Sequence, residues 1–321
     1  MPGRAAEPAA MFFDLFLNVC APLFFVVGLG WLLDRKFRLH LETLVKLNIY
    51  LLVPAFIFTR VLDTELTGNQ ALSIVGFTLG TVAMMFVCST VAAWLLGMKA
   101  QQRQALRLAT MFYNCGNYGL PLVTLAFGHE GAAVQVYVLA TMNVATFTLG
   151  LFLAQERGEK PGSHWRALNG MLRQPTLYAL LAGVLCKSFN VPLQTVNWIW
   201  QPLDLLQAAL VGFALLTLGV QMSQTRPEPF RAPLWAALGI RLFMGPLLAL
   251  VLVKVMGFSP QVCASLVLAA AAPTAVNTAL LAHEFGRDVS FATSSVYYTT
   301  LFSMLTTTVT LSLLKLWVVG G

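Results

Sequence analysis

Charge is scarce in this chain. Asp, Glu, Lys and Arg make up 10% of its 321 residues, where soluble domains carry about 25%. Apolar side chains fill the deficit: 58% of residues are hydrophobic and the mean hydropathy is +0.74. The apolar runs repeatedly reach the roughly 20 residues that a transmembrane helix needs. The chain therefore reads as an all-α polytopic membrane protein, not as the two soluble domains its length could otherwise supply.

Other chemistry is missing too. Cys20, Cys88, Cys115, Cys186 and Cys263 all lie in apolar segments, with no CxxC and no metal-like spacing. They imply neither a disulfide framework nor a zinc site, and free cysteine behaves as a small buried hydrophobe. There is no HExxH, no pair of mid-span acids and no Ser–His constellation. An intramembrane enzyme would need one of these, so no catalytic residue, metal or cofactor is expected. A cleaved secretory signal is not expected either. The run from Met11 to Leu33 exceeds the roughly 7–15 residues of a signal h-region, and no small-residue cleavage site follows it. Phe16-Leu17-Asn18-Val19 before Cys20 makes a poor lipoprotein signal. Residues 1–10 are expected to be a mobile tail.

The thirteen acidic residues all fall in predicted loops or near span ends. No carboxylate sits near a predicted midplane, where proton and sodium relays usually place one. This favours an anionic substrate over a cationic one and leaves coupling to protons or sodium unassigned. The net charge of +7 follows topology and does not point to nucleic acid.

What is present is a series of ten predicted spans, near residues 11–33, 42–62, 71–97, 105–128, 132–154, 174–191, 201–222, 233–256, 260–284 and 289–316. Trp31, Trp94, Trp198, Trp200, Trp235 and Trp317 lie near predicted ends, as an interfacial aromatic belt requires. Loops after the odd-numbered spans hold thirteen Lys and Arg against five on the other side. The positive-inside rule then puts both termini on the non-cytoplasmic side of the cell (inner) membrane. The spans divide into a first repeat at 11–155, a cytoplasmic connector at 156–172 and a second repeat at 173–321. Two inverted five-helix repeats of this kind build many secondary transporters, whose sites lie where discontinuous helices meet at the midplane.

The fourth and ninth spans carry helix breakers. NCGNYGLPL (114–122) crowds Asn114, Gly116, Asn117, Gly119 and Pro121 together; LVLAAAAPTAVNTALLAHEFG (266–286) holds Pro273, Thr274 and Asn277. Aligning His129-Glu130 with His283-Glu284 sets Pro273 opposite Gly119, which predicts breaks at matching depths. Pro removes a helix hydrogen bond, Gly lets the chain unwind, and the freed groups are tolerated only inside protein or beside a watery cavity. Each broken span would also present a helix N-terminus, with partial positive charge and unpaired N–H donors. Two such ends, with the amides of Asn114, Asn117 and Asn277, would hold an anion without any fixed charge.

Arg241 is the one ionisable residue well inside a span, roughly eight residues or about 12 Å deep. It is a candidate charge partner for the substrate; the alternatives are a helix C-terminal end or snorkelling to the interface. Lys46 reads as a snorkelling residue. The two His-Glu pairs read as solvated helix ends, with a gate or proton entry as the alternative.

These residues carry a family resemblance. The chain resembles the auxin efflux carrier family, within the wider bile-acid/sodium symporter and auxin carrier fold. The likeness runs through APLFFVVGLGWL, LNIYLLVPAFIF, NCGNYGLPL, GIRLFMGP and APTAVNTALLAHEFGRDVSFATSSV; RQPTLY (173–178) is similar to the family's NPNTY motif, with Gln174 and Leu177 departing from it. The resemblance implies a scaffold domain (spans 1, 2, 6, 7) and a transport domain (spans 3–5, 8–10) whose crossing broken helices, 4 and 9, hold the substrate. The implied site is Asn114, Gly116, Asn117, Gly119, Pro121, Pro273, Thr274 and Asn277, with Val53 and Pro54 as a scaffold-side wall. It is compatible with a homodimer through the scaffold domain. The short connector is similar to that of compact bacterial members, linked to small carboxylates such as malonate or malate. The implied function is secondary transport of a small organic anion by elevator-type alternating access. The alternatives are an auxin-like aromatic carboxylate exporter and a metabolite-binding sensor or channel of the same fold.

Overall fold

The computed structural model describes residues 8–154, 172–284 and 288–320. Among these residues the protein is helical, with one isolated β-bridge. In chain order the helices are α1 Ala9–Phe37, α2 Leu41–Asp63 and α3 Gly68–Leu95, then α4 Ala100–Met111. There follow α5 Cys115–Gly150, α6 Pro175–Ser188, α7 Asn197–Gln224 and α8 Ala232–Met256. The last three are α9 Pro260–Ala270, α10 Val276–Glu284 and α11 Val289–Gly320.

Seven of these, α1, α2, α3, α5, α7, α8 and α11, are long and apolar enough to cross a bilayer. The protein is thus a multi-pass membrane protein. Trp94, Trp198, Phe189 and Val255 are each more than 70% exposed, which acyl chains accommodate and water would not. Pro8, the first described residue, is already helical, inside the expected tail, and a first-turn Pro leaves no helical bond unmade. Residues 1–7 and nearly all of the connector lie outside the described residues.

Packing sorts the helices into two sets. α1 lies along α7, and α2 along α6 and α7, while α3, α4, α5, α8, α9, α10 and α11 pack mainly on one another. In the first set the backbones themselves touch. A Cβ on Gly30 would collide with the Leu216 carbonyl, and one on Gly219 with the Val27 carbonyl.

Four helices contain a widened turn in which an N–H reaches back five residues: Ala21 to Phe16, Val53 to Asn48, Leu120 to Cys115 and Gly245 to Ile240. Each donor immediately precedes a proline, namely Pro22, Pro54, Pro121 and Pro246. Proline lacks an N–H and its ring clashes with the carbonyl four residues back; the wider turn accommodates both defects without ending the helix.

That accommodation moves the expected break. The first interruption falls at Phe112–Asn114, ahead of Gly119 and Pro121, which lie in the first part of helix α5. The second falls after Ala270 and before Val276. Tyr113 bridges antiparallel to Thr274, so Pro273 stands opposite Asn114 and not opposite Gly119. Asn114 N–H donates to the Pro273 carbonyl at 2.7 Å, and Ala275 N–H to the Phe112 carbonyl at 2.9 Å. The two unwound segments satisfy each other's backbone, as hydrocarbon requires. α5 holds its own discontinuity at Gly128, with φ 61° and ψ −141°, a conformation open to glycine.

Candidate functional site

The crossing has a carbonyl side and an amide side. On the carbonyl side, α4 and α9 end facing each other. Arg241, fully buried on the widened turn of α8, spans both ends. Its Nη1 donates to the Thr110 carbonyl at 2.7 Å and its Nη2 to the Ala270 carbonyl. Among the described residues its charge meets no carboxylate. It meets instead two helix C-termini, each worth about half a negative charge, and the face of Tyr113 with Cζ 5.2 Å from the ring centre. Gly245 makes the room, since a Cβ there would run into the guanidinium. Thr274 adds a further tie, its Oγ1 donating to the Ala109 carbonyl at 2.7 Å and its N–H to Thr299 Oγ1 at 3.1 Å.

On the amide side, α5 and α10 begin. Asn114 caps α5, its Oδ1 accepting from Asn117 N–H at 3.1 Å. Asn48 Nδ2 of α2 donates to Asn117 Oδ1 at 2.7 Å. Around these amides lies a cavity of about 70 Å³, room for about five waters at 10–15 Å³ each. Asn114, Gly116, Asn117, Asn277 and Val53 line it, as do Asn48, Asn143, Thr146, Gln174, Thr176 and Tyr113. No charged side chain is among its lining. Two buried amide atoms of lining residues, Asn114 Nδ2 and Asn48 Oδ1, have no hydrogen-bond partner.

The remaining expected site residues serve elsewhere. Gly119 sits behind the wall, where a Cβ would come 3.1 Å from Gln135 Nε2 and 3.2 Å from the Asn114 carbonyl. Pro121 and Pro54 shape the widened turns, and Pro273 and Thr274 are consumed by the crossing; none of the four lines the cavity. Arg241 does not line it either: of the roles expected for it, the structure gives it the helix C-termini. Lys46 pairs with Glu42 at 2.6 Å on the exposed surface. His129 and Glu130 line a separate cavity of about 510 Å³ with Asp63 and Glu65.

Sequence reasoning overlooked Asn48, Asn143, Thr176 and Tyr113. A signal existed for Asn48, which stands at the head of the widened turn before Pro54 as Cys115 does before Pro121. Tyr113 and Thr176 reach the cavity through tertiary placement that no local pattern carries.

A helical chain with seven bilayer-length apolar helices is a multi-pass membrane protein, and this one holds a cavity lined by amides at its helix crossing. Its family is equally plain. The chain belongs to the membrane transport protein family, the auxin efflux carriers of the resemblance above, whose model matches residues 15–311. It is therefore a transporter and not an enzyme. It is 26% identical over 270 residues to an uncharacterized transporter of Methanothermobacter thermautotrophicus, covering 82% of this chain and 85% of the relative. It is 24% identical to another of Methanocaldococcus jannaschii, covering 83% and 87%. It is 28% identical over 309 residues to a Rhizobium meliloti protein named "Putative malonate transporter", covering 92% and 94%.

Proposed function

We propose that this transporter is a secondary carrier of a small organic anion, a short carboxylate of the malonate or malate kind, bound at the crossing. The observation that carries the reading is the uncharged cavity onto which two helix N-termini and the Asn114 and Asn277 amides converge. Aligned peptide dipoles and unpaired N–H groups make such an end an anion site. Its small volume suits a short-chain acid better than an indole-bearing one, and the malonate named in one relative's title is of that class.

The mechanism in this reading is elevator-type alternating access. The α1, α2, α6 and α7 set is the scaffold, and the remaining helices carry the crossing past it. α5 has 36 residues, about 54 Å at 1.5 Å per residue, against roughly 30 Å of hydrocarbon. Divided at Gly128, it supplies the end of one span and the whole of the next. With α6 and the α9–α10 pair also counted, the chain makes ten spans in two inverted repeats. Both termini then face the non-cytoplasmic side of the inner membrane.

The test is binding of malonate and related acids to purified protein, read as a thermal shift. The shift should vanish in Asn114→Ala and Asn277→Ala variants that still fold; a shift retained in both would remove the site. Counterflow in liposomes should saturate with substrate, whereas flux that rises without saturation would make the protein a channel.

A further inference from the structure

We propose that the species held at the crossing carries one negative charge together with one hydrogen-bond donor: a hydroxycarboxylate, or a dicarboxylate that retains one proton. A fully ionised dianion is disfavoured. The inference rests on the anion site proposed above and specifies its substrate.

Charge sets the first constraint. Four helix ends meet at the crossing, two C-terminal and two N-terminal, each worth about half an elementary charge. The C-terminal pair amounts to about one negative charge, and Arg241 is committed to it through the Thr110 and Ala270 carbonyls. The N-terminal pair, at the starts of α5 and α10, amounts to about one positive charge and faces a cavity whose lining holds no charged side chain, its ionisable members being the Tyr113 hydroxyl and the Cys115 thiol. One bound negative charge completes the balance. A second would be buried without a partner, which is strongly unfavourable.

The unpartnered atoms add a second constraint. Asn114 is 6% exposed and Asn48 4%; Asn114 Nδ2 is a free donor and Asn48 Oδ1 a free acceptor, and the Tyr113 hydroxyl, also without a partner, does not bond Asn48 Oδ1. The orientation of Asn114 is fixed, because its oxygen accepts from Asn117 N–H. The Asn48–Asn117 pair uses one amide nitrogen and one amide oxygen. Whichever way that pair is turned, one amide oxygen stays free. An ionised carboxylate only accepts hydrogen bonds, so it satisfies Asn114 Nδ2 and the helix N–H groups but repels the free oxygen. A hydroxyl or a protonated carboxyl on the same ligand supplies the missing donor.

Two probe pairs decide the matter with the full chain in nanodiscs at about pH 8, where both carboxyls of malonate are ionised. Malonate is compared with malonamate, its singly charged amide, and glycolate with methoxyacetate, its ether. Glycolate should bind about tenfold more tightly than methoxyacetate, the discrimination expected of one hydrogen bond at the upper end of its range, and malonamate should exceed malonate by at least as much, because malonate buries an extra charge as well. Asn48→Ala should erase the glycolate preference while methoxyacetate still binds; if that variant does not fold, the wild-type pairs decide alone. Equal binding of malonate and malonamate, or of glycolate and methoxyacetate, would overturn this inference and leave the anion site standing. Binding of none of the four would remove the site and the inference together.

Discussion

Replacing Arg241 by Met tests the electrostatics of the crossing most directly. The guanidinium bonds two carbonyls that terminate α4 and α9, one of them at 2.7 Å. Hydrogen bonds to charged groups contribute about 1.5–3 kcal/mol each, which puts the gross loss at about 3–6 kcal/mol. Met returns part of this, because burying a guanidinium carries a desolvation penalty of several kcal/mol. What remains exposed to the loss is a pair of half-charged helix ends facing each other in a low dielectric. Removing one side of a buried charge interaction costs about 3–5 kcal/mol. Here the orphaned side is partial charge, so about 3 kcal/mol is expected. Arg241→Lys keeps the charge as a point and not a fork, so it reaches one carbonyl and should lose about half as much.

The assay is denaturant unfolding of each variant in mixed micelles, paired with malonate binding. Arg241→Met as stable as wild type would refute the role assigned to the guanidinium. The binding arm tests the other possibility. Arg241 lies outside the cavity lining, so a well-folded Arg241→Lys protein should bind malonate nearly as wild type does. Loss of binding without loss of stability would make Arg241 a charge partner of the substrate after all.

Gly245→Ala should destabilise by crowding the Arg241 guanidinium and, at 3.0 Å, the Ala270 carbonyl; its cost should fall but not vanish in an Arg241→Met background, which relieves only the first contact, and an unchanged cost, read from unfolding of the two singles and the double, would deny the guanidinium clash. Gly219→Ala would drive a Cβ into the Val27 carbonyl and to within 2.8 Å of Trp31 N, separating α1 from α7 at about 1–3 kcal/mol, read as a lower unfolding midpoint; an unchanged midpoint would deny the backbone contact. Asn114→Asp keeps the acceptor for Asn117 N–H and places negative charge where a helix start favours it, so the protein should fold within about 0.5 kcal/mol of wild type. Its binding of malonate should nonetheless drop at least about a hundredfold through like-charge repulsion worth several kcal/mol, and undiminished titration with labelled malonate would contradict the site.

The long spans were legible because a bilayer demands little of them beyond length and apolarity. α1, α2, α3, α7 and α8 begin and end within a few residues of the limits that hydropathy predicts. The existence of two interruptions was legible as well, since Asn, Gly and Pro cluster in the first and Pro273 and Asn277 stand in the second. Their positions were not. The partner of Asn114 N–H is the Pro273 carbonyl, a pairing between segments far apart in sequence, and matching the two His-Glu pairs supplied a false register. Arg241 was visible as an anomaly, but the sequence does not reveal that the carbonyls it needs lie on α4 and α9.

The prolines tie these observations together. Pro54 and Pro121, expected in the site, lie outside the cavity lining, and each follows a widened turn. Those turns run from Asn48 to Leu52 and from Cys115 to Gly119, and both enter the cavity wall through Asn48, Ile49, Cys115, Gly116 and Asn117. A third widened turn, Thr146–Gly150, adds Thr146 and Phe147 without any proline to cause it. An ordinary helical turn repeats its side chains on one face; a turn with an extra residue shifts that face, which is how a helix otherwise dressed for lipid can aim an asparagine inward. Asn48 and Asn117, which stand on those two turns, are therefore aimed by where proline stands downstream. Moving the proline, and not only mutating the asparagine, should unmake the cavity.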